Sequence, residues 1–297
     1  PHEFFAASMS MEISNQNKLS EFYEELKRLN INVIRPNINT CFANFSSNGK
    51  DFFYALGAIK NVGYEAISNV VKERIKNGKF KNISDFIKRT NPKNINKLQL
   101  EGLVRAGAFD EINNNRQSLF NSIPNIILKS KNNFDNKMDS QINLFNDEVD
   151  SNDDFLEDID DWKIENRLSK EFETLGFFIS DHPLNQYKSI FNQYNIVNYD
   201  QFEKDKNLLS SNIACTILKV QEKKTQKGNS YAIVKLSDLN NVFEVFIFSE
   251  IFESNREKLV EGNSIMITLI KNYIDDLKTQ RKINVKKIVT FKEVLNK

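Results

Sequence analysis

The sequence predicts a multidomain α+β fold, in which an all-α module is followed by a five-stranded β-barrel. Apolar residues recur mainly at helical spacing through the first 125 of the 297 residues. From residue 213 onward, apolar and polar residues alternate at period two, as in half-buried strands. A length of 297 residues is typical of about two domains.

Residues 1–49 are predicted to be largely helical. Within them, residues 17–30 place apolar side chains at helical spacing, with acidic groups early and Lys27 and Arg28 late. This order of charges matches the dipole of an α-helix, so an amphipathic helix is expected there. Val33–Ile34 then forms a short apolar run before a polar loop.

Residues 50–125 have the pattern of short helices joined by tight, glycine-containing turns. The segment DFFYAL is predicted to be a brief strand, and the helix after it is expected to end near Gly78. Ser84 is expected to cap the next short helix. A further helix is expected to end near Gly107.

The stretch ALGAIKNVGYEAI has the pattern of a helix-hairpin-helix motif. In such a turn, successive N–H groups point at a DNA phosphate, and the following helix adds the positive end of its dipole. Asn61 replaces the usual glycine, but asparagine tolerates the left-handed conformation. The alternative is a plain turn between two helices. The candidate DNA contacts are Lys60, Asn61, Val62, Gly63 and, in a second and weaker hairpin, Gly107.

Residues 126–160 are predicted to be an acidic linker, because periodicity is lost there. Between Asp147 and Asp161 the chain carries nine acidic residues and no Lys or Arg. Residues 161–207 are predicted to be a helical connector. The blocks on either side of the acidic region are mildly basic, which favours an approach to a polyanion.

Residues 208–297 are predicted to form an OB-fold, a five-stranded Greek-key barrel. The prediction rests on three strand patterns, a helix-length segment and two more strand patterns, in that order. Aromatic platforms beside a basic groove are typical of barrels that bind single strands. Because alternate residues of a strand must face the core, either Tyr231 or Phe243 is expected to face solvent. The candidate contacts in this barrel are Lys223, Lys224, Lys227, Tyr231 and Phe243.

Neither a catalytic constellation nor a metal-binding group is evident. Cys41 and Cys215 are far apart in sequence, so a disulfide framework or a Cys-based zinc site is not expected. His182, in a turn before a proline, is expected to be structural. The sequence contains neither a P-loop nor a dinucleotide-binding glycine pattern. It also has no run of about 18 apolar residues, so no membrane association is expected. A reducing, cytoplasmic location is the default.

Five separate blocks resemble the bacterial DNA polymerase III alpha subunits, the C-family replicative polymerases. The blocks are NKLSEFYEELKRLNINVIRPNIN, YALGAIKNVGYEAI, INKLQLEGLVRAGAFD, EFETLGFFISDHPLNQY and the barrel strands. The resemblance implies the end of the polymerase fingers, a tandem helix-hairpin-helix module, a clamp-binding linker and an OB domain. The start, PHEFFAASM, lacks an initiator Met, so an internal fragment of a longer protein is expected.

The resemblance also implies a DNA-directed DNA polymerase, a nucleotidyltransferase of chromosome replication. The palm aspartates that hold Mg²⁺ in this family belong to a block that precedes the resemblance. No residue of this chain is therefore expected to be catalytic, no cofactor is expected on it, and the segment alone is expected to be inactive. The implied partners are double-stranded and single-stranded DNA, the sliding clamp (beta subunit) and other holoenzyme subunits.

The family carries an internal peptide that docks into the sliding clamp, with the pattern Gln, two variable residues, Leu or Met, then Phe. By this resemblance, Gln141, Leu144 and Phe145 are the expected clamp contacts. Leu144 and Phe145 would fill an apolar pocket, and Gln141 would make polar contacts at its rim. The alternative is a chance occurrence of the pattern in a loop.

Two other functions remain open from the sequence. One is a non-catalytic DNA-binding adaptor with helix-hairpin-helix and OB modules. Paired palm aspartates upstream in the coding sequence would exclude that adaptor. The other is a tRNA-binding OB module, against which equal or better binding of DNA would count.

Overall fold

The computed structural model describes residues 1–138, 153–226, 228–273 and 281–295. The chain divides into two compact units, Pro1–Ser180 and Asp181–Lys297. The division falls inside residues 161–207, which the sequence predicted to be a single helical connector. Each unit has its own apolar core.

The first unit is mainly helical. Its helices are α1 (His2–Met11), α2 (Gln16–Arg28), α3 (Tyr64–Asn77), α4 (Ile83–Arg89), α5 (Lys97–Arg105), α6 (Arg116–Asn121), α7 (Ile123–Met138) and α8 (Ile164–Leu175). A small sheet has the order β1-β3-β2 and contains β1 (Asn32–Ile34), β2 (Ser46–Ser47) and β3 (Asp51–Phe53). Residues 1–49, predicted to be largely helical, therefore also contribute two strands.

Helix ends in this unit follow side-chain capping. The Asn15 side chain accepts the Lys18 N–H at 3.3 Å at the start of α2, and Lys27 and Arg28 lie in its last turn, as predicted. The cap of α4 is Asn82, whose side-chain oxygen accepts the Asp85 N–H at 2.8 Å. The prediction that Ser84 caps this helix is wrong, because Asn82 holds the extended conformation that a cap requires.

One apolar cluster joins the beginning and the end of the first unit. It runs from Phe5 in α1 to Phe177 after α8, and includes residues of every region between them up to Ile126. Tyr23 of α2 stacks on Phe177, with ring centroids 4.4 Å apart. The first 49 residues and the hairpin region consequently share a single core.

The acidic region contains ordered structure where the sequence predicted a linker. Helix α7 occupies its first part, and residues 153–161 contact the helices before it. Asp153 Oδ1 accepts the Ser84 N–H at 2.9 Å at the start of α4. Asp161 Oδ1 accepts the Gln117 N–H at 3.0 Å at the start of α6. These carboxylates satisfy first-turn amides and face the positive ends of helix dipoles, so they contribute to the fold.

A buried ion network links α5, α6 and α8. The guanidinium of Arg116 is 4% exposed and donates to both carboxylate oxygens of Asp110, at 2.8 and 2.7 Å. It also donates to the Arg105 carbonyl oxygen at 3.1 Å and lies 3.8 Å from the buried carboxylate of Glu171. Arg116 therefore neutralises two carboxylates from different parts of the chain.

The second unit contains an antiparallel five-stranded sheet in the order β6-β5-β4-β7-β8. Its strands are β4 (Ser210–Lys224), β5 (Ser230–Ser237), β6 (Val242–Ile247), β7 (Ser264–Tyr273) and β8 (Arg281–Thr290). Its helices are α9 (Tyr199–Lys204), α10 (Ser249–Asn255) and α11 (Phe291–Leu295). All five predicted strands are present, and α10 lies between the third and fourth of them. This arrangement is that of an OB-like barrel.

Replacing Arg116 by methionine should destabilise the first unit by about 3–5 kcal/mol, because the buried carboxylate of Glu171 would lose its cation. Asp110, which is partly exposed, would keep only its ion pair with Arg167. Chemical denaturation followed by the fluorescence of Trp162 measures the free energy of unfolding of the first unit, because Trp162 is the single tryptophan of the chain and lies in that unit. Arg28→Met is the control, since Arg28 pairs with Glu25 on an exposed helix surface and its loss should change little. Equal, small effects of the two variants would contradict a structural role for the network.

Candidate nucleic-acid interface

The predicted hairpin lies between a short 3₁₀ helix, Leu56–Ala58, and α3. Asn61 has a φ of 67°, the left-handed conformation expected where asparagine replaces the usual glycine. Val62 is 3% exposed and belongs to the apolar core. Lys60, Asn61 and Gly63 are exposed. The turn therefore has one residue directed inward and three at the surface.

Several amides of this turn are free to bind a ligand. Two are used by the fold, since the Val62 N–H donates to the Ile59 carbonyl at 3.0 Å and the Lys60 N–H to the Thr174 carbonyl at 3.2 Å. Within the described ranges, no protein acceptor meets the amides of Asn61, Gly63, Tyr64, Glu65 and Ala66. These groups lie at the N-terminus of a 14-residue helix, where the dipole adds positive potential. A phosphate is the ligand that such an arrangement suits.

Two glycines shape the hairpin in different ways. Gly63 has a φ of −58°, and a methyl group on it would meet only Gln99 Nε2, at 3.5 Å. Its lack of a side chain therefore leaves space outside the fold. A methyl group on Gly102 of α5 would lie 2.7 Å from the Lys60 carbonyl oxygen. Gly102 lets α5 pack directly on the turn, and the sequence analysis did not include it. A glycine in the middle of the apolar face of a helix could have indicated this close contact.

Gly107 has a structural role, and its prediction as a DNA contact is wrong. It adopts a φ of 75° and its N–H donates to the Val104 carbonyl at 3.0 Å. The next amide, of Ala108, donates to the Leu103 carbonyl at 2.9 Å, which completes a typical helix C-terminus. A side chain on Gly107 would overlap the guanidinium of Arg116. The residue is buried beneath that guanidinium, so it offers no backbone to DNA.

In the second unit, one face of β4, β5 and β6 carries aromatic and basic side chains, of which Lys223 and Phe246 are exposed and the others partly exposed. Register places Lys219 opposite Lys235, Lys223 opposite Tyr231, and Ile233 opposite Phe246. We call this set the outer face. It consists of Lys219, Gln221, Lys223, Tyr231, Ile233, Lys235, Glu244 and Phe246, so one carboxylate lies among its three lysines. Lys224, next to it, is exposed, and Lys227 lies outside the described residues.

Of Tyr231 and Phe243, either of which was expected to face solvent, Phe243 is buried, so its prediction as a nucleic-acid contact is wrong. Phe243 is 7% exposed and stacks on Tyr199 of α9, with ring centroids 4.0 Å apart. Strand alternation puts Phe246 on the opposite side of β6, where it is 50% exposed. Glu244 lies two residues before Phe246 and therefore on the same side of β6. A charged residue at this position indicates from the sequence alone that this side faces solvent. Tyr231 is half-buried on the outer face.

The remaining predicted contacts, Gln141, Leu144 and Phe145, lie outside the described residues.

Both cysteines are free and buried, and burial raises the pKa of the Cys41 thiol to about 11, so it stays protonated at neutral pH. The described part of the chain holds no group of three or more His, Cys, Asp or Glu side chains able to bind a metal ion. None of its helices is long and apolar enough to cross a membrane.

Comparison with known proteins agrees with this geometry. A helix-hairpin-helix motif family model matches residues 30–119. The DNA polymerase III subunit alpha of Caulobacter vibrioides is 31% identical over 269 residues, which cover 90% of this chain. The corresponding subunits of Borreliella burgdorferi and Rickettsia bellii are 32% and 34% identical, over 89% and 90% of the chain.

This chain is a homologue of the DNA polymerase III alpha subunits. It spans about a quarter of the length of these relatives, 24% of the first two and 25% of the third. The hairpin described above lies inside the residues matched by the motif model. Because the alignment covers 90% of the chain, it includes most of both units.

We expect alanine substitutions of Phe246 and Phe243 to separate binding from stability in this alpha-subunit homologue. Phe246→Ala should weaken single-strand binding by about 1–3 kcal/mol, the usual contribution of one stacked base, with little loss of stability. Phe243→Ala should instead lower the free energy of unfolding by about 3–5 kcal/mol, because it empties a buried site. Fluorescence anisotropy with a labelled oligonucleotide and chemical denaturation measure the two effects. Unchanged affinity of the Phe246 variant would exclude the outer face as the binding surface.

Proposed function

We propose that this chain is the DNA-binding and sliding-clamp-binding portion of a replicative DNA-directed DNA polymerase. The observation that carries the proposal is the homology to alpha subunits over nine-tenths of the chain. The open amides of the hairpin and the outer face of the second unit support it, because a polymerase must hold its template while it moves along any sequence.

The hairpin would hold duplex DNA through its phosphates. Backbone amides make contacts that every nucleotide can accept, so they position DNA without selecting a sequence. The exposed Lys60 adds a positive charge beside these amides. Such binding leaves the enzyme free to advance, since equivalent phosphates recur at each step along the duplex.

The second unit would bind single-stranded DNA on its outer face. Phe246 and Tyr231 offer ring surfaces on which bases can stack, and Lys219, Lys223 and Lys235 lie on the same side of the sheet. Stacking suits any base, so this surface also binds without strong sequence preference. The two units would therefore recognise two forms of DNA by two different physical means.

Gln141, Leu144 and Phe145 are proposed to dock into the sliding clamp. They lie in sequence between α7 and the Asp153 contact with α4. Even weak docking of so short a peptide would be effective, because DNA held by the neighbouring units keeps the peptide at high local concentration near a clamp on the same duplex.

Catalysis is proposed to reside in other parts of the polymerase. Phosphoryl transfer with two Mg²⁺ ions requires carboxylates that converge on the metal ions, and the described carboxylates of this chain form no such group. The chain would act in the cytoplasm, together with other holoenzyme subunits, by holding the DNA and the clamp.

Gly63→Ala should weaken binding of duplex DNA about tenfold, because the new methyl group would occupy the space through which a phosphate approaches the amides. The fold should tolerate the change, since the methyl group would meet only Gln99 Nε2, at 3.5 Å. Anisotropy at a fixed salt concentration measures affinity, and thermal unfolding checks the fold. Wild-type affinity in the variant would reduce the hairpin to a structural turn.

Leu144→Ala combined with Phe145→Ala should abolish retention of the chain by immobilised sliding clamp, because both apolar anchors are lost. Affinity for DNA should not change. Ile142→Ala with Asn143→Ala is the matched control, since these residues occupy the variable positions of the pattern. Clamp retention by the first double variant would refute the assignment.

A further inference from the structure

Gln99, near the start of α5, lies against the hairpin turn. Its Nε2 atom would be 3.5 Å from a methyl group on Gly63. The cause is Gly102, three residues later on the same face of α5, which lets the helix backbone approach the Lys60 carbonyl. Close packing at Gly102 therefore places Gln99 beside the open amides.

A capping box fixes which atom of the Gln99 carboxamide faces the hairpin. The Asn96 side chain accepts the Gln99 N–H at 3.0 Å, and Gln99 Oε1 accepts the Asn96 N–H at 2.7 Å. A backbone N–H can only donate, so the atom that meets Asn96 must be the oxygen. The NH₂ group is therefore the end that is directed to the hairpin.

The NH₂ group of Gln99 has no acceptor among the described residues, and the side chain is only partly buried. It lies 3.5 Å from the position that a methyl group on Gly63 would occupy, and the Gly63 amide also has no acceptor among the described residues. The amide donors there and the carboxamide donor belong to two different helices, α3 and α5. A single anion with several acceptor oxygens would satisfy both sets.

We propose that Gln99 is a phosphate-binding residue of the hairpin. Its carboxamide N–H would donate to the same DNA phosphate group that the amides of Gly63 and Tyr64 hold. The proposal rests on the proposed DNA-binding function and deepens it, because it adds a side-chain donor to a site made of backbone. It also gives the capping box of α5 a second role, which is to hold that donor in place before DNA arrives.

Gln99→Glu tests this with little change of shape. Glutamate preserves the capping box and suits the first turn of a helix, so the fold should be as stable as before. The variant replaces a donor by an anion beside the phosphate, so affinity for duplex DNA should fall at least tenfold. Gln99→Met, which removes the donor without adding charge, should reduce the affinity about threefold.

Gln201→Glu is the matched control. Gln201 occupies the same position in α9, where the Asn198 side chain accepts its N–H at 2.7 Å, and it is exposed. The two glutamate variants have the same net charge. A difference between their affinities for duplex DNA therefore reports the contact of residue 99 with the phosphate and not the change in total charge. Duplex affinity of each full chain is measured by anisotropy at one salt concentration, with thermal unfolding alongside.

A loss of affinity in both Gln99 variants, with Gln201→Glu unchanged, supports the proposal. Equal affinity of Gln99→Glu and Gln201→Glu, while Gly63→Ala binds weakly, overturns the role of Gln99 and leaves the hairpin function intact. A wild-type chain that binds no duplex at all overturns the proposed function, and the role of Gln99 with it.

Discussion

The contact between α5 and the hairpin turn at Gly102 is the constraint on which the candidate DNA-binding surface depends. Because Gly102 has no side chain, the α5 backbone lies against the Lys60 carbonyl and the Val62 side chain. A second support comes from α8, where the Thr174 carbonyl accepts the Lys60 N–H. The turn is thus braced from two sides. The amides of Asn61, Gly63 and Tyr64, all exposed residues, have no protein acceptor in the described part of the chain.

The buried network around Arg116 holds these supports together. Arg116 in α6 neutralises Asp110, which follows the end of α5, and approaches Glu171 of α8. Gly107 lies beneath the guanidinium just after the end of α5, so a side chain at this position would displace Arg116. Arg116 is thus bonded to residues at or near the ends of both helices that brace the candidate turn, α5 and α8.

Local features of this structure could be predicted from the sequence, and features set by distant partners could not. The left-handed Asn61 and the five strands follow from residue type and periodicity alone. The burial of Gly107 depends on Arg116, nine residues later in the chain, and the burial of Phe243 depends on which face of β6 meets the core.

The acidic region shows the same difference between features set locally and features set by distant partners. Its composition is typical of a solvated linker, yet Asp153 and Asp161 bond to helix N-termini at residues 84 and 117. Composition alone does not distinguish a carboxylate in water from one that caps a helix, because the partner amide is brought by tertiary structure. The proposed clamp-binding residues, Gln141, Leu144 and Phe145, fall between α7 and Asp153 in sequence, and their proposal rests on the sequence pattern alone.

Amide chemical shifts of the hairpin test most directly whether its backbone binds phosphate. In the ¹⁵N-labelled full chain, addition of duplex DNA should move the amide resonances of Asn61, Gly63 and Tyr64 further than those of other helix N-termini, and should slow their hydrogen exchange. If duplex DNA binds and these three resonances keep their free positions, the hairpin is not the surface that holds DNA.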